Sequence, residues 1–118
     1  MKRVEITTIQ SMVDGTKEEV FHFYDCEVEK NKITYYDDNE MFNTITYNED
    51  EVVVENDNKL VFKKGDTYET TYDLKIYSFN VKVVTNDLKV EGNKIEMVYD
   101  FYMDGKKVCE TNFSLEVL

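Results

Sequence analysis

The sequence predicts an all-β fold, a single antiparallel meander of about eight to ten strands closing into a barrel. Three observations carry this. The 118-residue chain contains no Ala, Pro or Trp. Ala is the strongest helix former, and Val, Thr, Tyr, Ile and Phe, which suit a pleated, half-buried surface, take its place. The apolar residues recur with a period of two rather than 3.6. Clusters of Asn, Asp and Gly interrupt the apolar runs at intervals of about ten residues, the spacing of hairpin turns.

The elements follow in order. A first strand covers Arg3 to Val13 and ends at Asp14-Gly15, and a second covers Glu18 to Val28. Short strands centre on Ile33-Tyr35, Phe42-Tyr47, Val52-Val54 and Leu60-Phe62, separated by polar breaks at Asp37-Asp38-Asn39-Glu40, Asn48-Glu49-Asp50 and Asn56-Asp57-Asn58. After Lys64-Gly65-Asp66 come strands near Tyr68-Tyr72 and Ile76-Thr85, then a short piece at Leu88-Val90. The clearest strand is Lys94 to Met103. Ile95, Met97, Tyr99, Phe101 and Met103 share one face, and Glu96, Val98, Asp100 and Tyr102 share the other. Asp104-Gly105 then forms a two-residue turn, since both positions tolerate positive φ. The last strand places Cys109, Thr111, Phe113, Leu115 and Val117 on its apolar face. Short connections make sequence neighbours pair as hairpins, and closure removes the two open edges of a long meander.

Ile95-Glu-Met-Val-Tyr-Asp-Phe-Tyr-Met-Asp-Gly105, followed by Thr111-Asn-Phe-Ser-Leu115, resembles the end of the YwiB-like proteins, a family of small uncharacterised bacterial proteins. Leu60-Val-Phe-Lys-Lys-Gly65 and Thr70-Thr-Tyr-Asp-Leu74 resemble their middle, and Asp14-Gly15 and Met41-Phe-Asn-Thr-Ile-Thr46 their first half. The chain departs from the pattern where Asn43 and Asp73 replace Gly and where Thr71 replaces Pro. The resemblance implies a calycin-like, lipocalin-like β-barrel and no assigned activity.

Composition narrows the function. A chain of this length buries roughly two-thirds of its unfolded surface, enough for a core without metal or disulfide staples, so one domain over residues 1–118 is expected. Twenty-five acidic residues stand against 14 basic ones, a net charge of −11. Such a chain repels a phosphate backbone and an anionic membrane surface, which argues against nucleic-acid and membrane partners. No apolar run approaches the ~20 residues of a membrane helix. Glu5, Thr7, Thr8 and Gln10 interrupt any apolar leader core after Met1-Lys2-Arg3. Cys26 and Cys109 lie far apart and form no redox motif. The expected setting is the cytoplasm, with reduced thiols.

The search for chemistry leans away from an enzyme, which is the third reading and would need a compact polar cluster around His22 or the acidic loops. The sole histidine, His22, shares the strand phase of Val20, Tyr24, Cys26 and Val28. Asp25 and Glu27 on the opposite phase turn the His22 face inward, so a buried, hydrogen-bonded His22 is expected. Cys26, four residues on, lies ~13 Å away along the strand and cannot be activated by His22. Too few Cys and His residues exist for zinc, the Asp37–Glu40 loop lacks calcium-loop spacing, and no cofactor fingerprint occurs. Alternate meander loops share one end, which gathers Asp14, Asp37, Asp38, Glu40, Asp57, Asp73 and Glu91. Asp104 with Lys106 and Lys107 falls at the other end. The expected lumen lining is His22, Tyr24, Phe79, Tyr99, Phe101 and Phe113, which either fills the barrel or surrounds one small apolar or aromatic ligand. Outward-facing Phe21 and Phe23 offer an alternative, a homodimeric interaction module.

Overall fold

The alternation folds as strands throughout. The computed structural model describes residues 2–73 and 75–118; Met1 and Leu74, the last residue of the Thr70–Leu74 resemblance, lie outside the described residues. Ten strands follow one another: β1 (Lys2–Met12), β2 (Lys17–Glu29), β3 (Lys32–Tyr36), β4 (Phe42–Tyr47), β5 (Glu51–Glu55), β6 (Lys59–Lys63), β7 (Thr67–Asp73), β8 (Ser78–Glu91), β9 (Lys94–Met103) and β10 (Lys106–Val117). No helix among the described residues is long and apolar enough to cross a membrane.

All ten strands form one antiparallel sheet in the order β6-β5-β4-β3-β2-β1-β10-β9-β8-β7. Among the described residues every ladder joins sequence neighbours except one, β1 with β10, which runs from Val4↔Val117 to Met12↔Cys109. The sheet curls into a nearly closed barrel. Its seam falls between β6 and β7, which share no ladder. Here β6 lies against β8. The Gly65 N–H donates to the Thr85 carbonyl (2.8 Å), the Thr85 N–H to the Asp66 carbonyl (3.0 Å), and Lys64 Nζ lies 3.4 Å from Asp87. Closure by side chains and two backbone bonds, rather than by a ladder, corrects the expectation that a closed meander leaves no edge.

Turn chemistry fixes the register. Asp104 and Gly105 take φ values of 50° and 81°, as a two-residue hairpin with both central residues left-handed requires. Lys30 and Asn31, at φ 27° and 25°, make the β2–β3 turn without any glycine.

One strand differs from the sequence reading. The expected break near residue 86 is a β-bulge: the β8–β9 register shifts between Thr85 and Asp87, and β8 continues to Glu91. The extra residue, Asn86, donates its side-chain amide to Asp100 Oδ2 at 3.2 Å. A bulge absorbs one residue without ending the strand, so Leu88 and Val90 keep facing inward beside Val81 and Val83. The same strand begins later than expected, at Ser78, and Ile76 sits 93% exposed in the preceding loop. Merging the two pieces moves the later loops. Glu91 joins the Lys30 end of the barrel, and Asp104 joins the Asp14 end together with Lys106 and Lys107. That end therefore carries both signs of charge rather than a one-sided acidic rim.

Strand lengths divide the barrel into two halves. β1, β2, β8, β9 and β10 run its full height, while β3 to β6 are short and wall only the half near the chain termini. In that half Val4, Ile33, Ile45, Val52, Phe62, Ile95 and Leu115 are buried from every side. Phe62 reaches across from β6 to meet Tyr99 of β9, ring centroids 4.6 Å apart. This half is a packed core. In the other half, among the described residues, β2 above Cys26 pairs only with β1, and β7 pairs only with β8. The inward residues Tyr24, Tyr72, Phe79, Phe101 and Phe113 there are only half-buried.

Candidate functional site

The open half is where side chains of chemical interest gather. β2 brings His22 and Tyr24 inward on one phase with buried Cys26. Their rings stack, centroids 5.5 Å apart and 16° from parallel, and Tyr24 stacks on Tyr35 of β3 at 5.1 Å and 12°. Stacking continues across strands because Tyr35 stands opposite Cys26, diagonal to Tyr24. The β3–β4 loop closes over this ladder of rings. Asp38 Oδ2 accepts the Tyr24 hydroxyl at 3.3 Å and lies 3.2 Å from His22 Nδ1.

The loop itself is held by its neighbour. Asp37 Oδ1 accepts the backbone N–H groups of Asn39 (2.9 Å) and Met41 (3.1 Å), and its Oδ2 accepts Asn43 Nδ2 (3.1 Å). Asn43 is buried on the inward phase of β4, where its Oδ1 accepts Asn56 Nδ2 at 3.1 Å. Both ends of the amide are therefore satisfied, which a buried polar group needs.

These surroundings tune the ionisable groups. Burial pushes the Tyr35 hydroxyl up to about 12, with the neighbouring Tyr24 and Asp37 adding to it. Burial, then the Asp38 charge, raises Tyr24. For Asp37 partial burial resists the charge, but the hydrogen bonds from Asn43, Met41 and Asn39 hold its carboxyl below the ordinary 3.8. A depressed carboxyl contributes stability that is full above the ordinary value and is lost as pH falls through the folded one. Titrating the protein from neutral pH downward, followed by NMR, should move the Asn43 side-chain amide resonances with a midpoint below 3.8. A midpoint above it would mean these bonds do not hold the charge.

The six residues expected to line the lumen do not form one pocket. All lie on inward strand phases. Their depths differ, however. His22, expected to be buried, sits at the rim with its side chain 36% exposed, because β3 ends too early to cover it and only the loop carboxylate reaches it. Tyr24 lies beneath it in the stack. Phe79 belongs to a separate corner with Tyr72 and Tyr77, at 5.5 and 6.0 Å. Tyr99 packs on Phe62, while Phe101 and Phe113 rest half-buried against the core.

The cysteines stay away from His22. Cys109 stands opposite Met12, six positions along β1 from Ile6, the partner of His22, which corresponds to ~20 Å of strand. Its thiol instead lies 3.5 Å from the Thr111 hydroxyl. Both cysteines are free and buried, and burial pushes the Cys26 thiol up.

The sequence reading gave Tyr35 and Asn43 no part in a site and placed Asp38 only among the acidic loop residues of one barrel end. Asn43 carried a signal, an amide on the inward phase of Ile45 and Tyr47. It also missed a cleft of about 340 Å³ where β2 and β3 fork, lined by Asp25, Cys26, Glu27, Thr34, Tyr35, Tyr36 and Phe42. This cleft opens on the outer side and takes in none of the six expected lining residues.

Comparison with known proteins agrees with the geometry. The crystal structure of the YwiB protein from Bacillus subtilis is similar, with a TM-score of 0.66 over 98% of this chain and 89% of that one, at 16% sequence identity. At that identity the likeness bears on the fold alone. No curated protein matches the sequence. A family model described as a domain of unknown function, DUF1934, matches residues 4–115. That match spans nearly every strand of the barrel, and the chain belongs to this DUF1934 family, as its resemblance to the YwiB-like proteins implied.

Proposed function

We propose that the protein is a non-enzymatic, calycin-like barrel, one domain over residues 1–118, that takes a small apolar or aromatic molecule at the open half of its lumen. The observation that carries this reading is the contrast between the halves. Near the termini Phe62 and the aliphatic Val4, Ile33, Ile45, Val52, Ile95 and Leu115 are fully buried, whereas Tyr24, Tyr72, Phe79, Phe101 and Phe113 point inward yet stay partly accessible. Inward-facing aromatic surface left in contact with water favours an occupant that covers it. The His22–Tyr24–Tyr35 stack offers ring faces, and Asp38 with His22 offers a polar end at the rim. The free thiols support a cytoplasmic setting.

The test is a thermal-shift screen of small aromatic and aliphatic compounds, with hits followed by tyrosine fluorescence, since the chain has no Trp. A ligand at a hundred times its Kd stabilises the native state by about 2.7 kcal/mol. Binding should weaken in both His22→Ala and Tyr24→Ala, which remove ring faces of one stack. Hits whose affinity is unchanged in both variants, or an aromatic panel without a single hit, would overturn the reading.

A further inference from the structure

We infer that the upper part of β2 is a self-association edge, to which a second copy of this chain adds its own β2 antiparallel, about a two-fold axis through Phe21. The β2–β1 ladder runs unbroken from Lys2↔Cys26 to Ser11↔Lys17, but the β2–β3 ladder covers only Cys26 to Glu29. Among the described residues, Lys17 to Asp25 therefore has a sheet partner on one side only.

Proteins normally blunt such an edge with Pro, a bulge or a charge in its middle. This edge has none of the three. The chain lacks Pro, the ladder to β1 has no register shift, and the central run Val20-Phe21-His22-Phe23-Tyr24 holds no Lys, Arg, Asp or Glu. Phe21 and Phe23 are 52% and 48% exposed on the outer face, their rings edge to face at 4.6 Å.

Charge selects the occupant. Antiparallel pairing about Phe21 sets Lys17 of one copy opposite Asp25 of the other, at both ends of the contact. Glu18 then meets Tyr24, Glu19 meets Phe23, Val20 meets His22, and Phe21 meets its own counterpart. No like charges face each other, and the contact is self-complementary, as a two-fold interface requires. The fork cleft of about 340 Å³ beside Asp25 leaves room for the incoming end. The edge of β7 gives no such match. About Thr70 it pairs Tyr68 with Tyr72 and sets Asp73 against Thr67, with no opposite charge.

The test is sedimentation equilibrium at high-micromolar protein and physiological salt, with melting temperatures read alongside to confirm folding. The wild type should be dimeric. Phe21→Lys should be a folded monomer. Lys17→Asp and Asp25→Lys should each weaken the dimer by roughly tenfold, since each turns two exposed ion pairs into repulsions. The double variant Lys17→Asp/Asp25→Lys should restore it. A wild type that stays monomeric, a dimer that survives Phe21→Lys, or a double variant no tighter than the singles would overturn the inference.

Discussion

Replacing Phe62 with Ala should lower the stability of the barrel by about 3 to 5 kcal/mol. Phe62 is 2% exposed and meets Tyr99 across the lumen. Two effects combine at this position. One is the lost burial of a large ring together with the cavity it leaves. The other concerns the seam, where β6 is joined to β8 with no ladder to share the load. The net stability of a domain is typically only about 5 to 15 kcal/mol, so the variant should melt roughly 10 to 25 °C lower. Thermal denaturation followed by circular dichroism measures this. Ile76→Ala, at a side chain 93% exposed in the loop before β8, is the control and should shift stability by no more than about 0.5 kcal/mol. A Phe62→Ala loss as small as the control's would show that the seam does not depend on this ring.

The second large effect is alkaline. The chain has nine tyrosines. Burial pushes the Tyr35 and Tyr99 hydroxyls up to about 12, from an ordinary 10.0. The folded state therefore holds these protons more tightly than the unfolded chain. For a raised pKa the linked stability is complete below the unfolded value, and it is lost as pH rises through the folded one. Each tyrosine should withdraw on the order of 2 kcal/mol between pH 10 and 12. Unfolding should accordingly set in steeply across that window. An ultraviolet titration should show two tyrosines ionising only as the structure opens. Tyr35→Phe removes one ionising group and should move the alkaline midpoint upward. A midpoint that does not move would mean Tyr35 titrates as though exposed.

The parts of the fold that local rules decide were readable from the chain. The alternation of Ile95 to Met103 and of Cys109 to Val117 specified two strands and their inward faces, and Asp104-Gly105 specified the turn between them. The inward phase of His22, Tyr24 and Cys26 followed from the acids at 25 and 27. Long-range geometry decided the rest. Asn86 looks like a turn residue, but β9 holds β8 straight on either side of it. The depth of His22 depends on where β3 ends, and its partner Asp38 arrives from a loop whose path no strand pattern describes. Whether the lumen is full also escapes the pattern, since Phe62 and Tyr99 meet only because the sheet curls.

The pairing of the chain's two ends has a consequence for how the barrel assembles. Leu118 donates its N–H to the Arg3 carbonyl at 2.8 Å, so the end of β10 lies beside the start of β1. The other ladders join neighbours and can zip locally, in microseconds for a single hairpin. The β1–β10 ladder must instead close a loop of nearly the whole polypeptide before it gains anything, an entropic toll that grows only logarithmically with loop length but falls on one step. Two arms, β1 to β6 and β7 to β10, are thus free to form independently, and joining the termini is the slow event. During synthesis β1 to β9 are made before β10, so the first arm waits with the β1 edge unpaired until β10 follows.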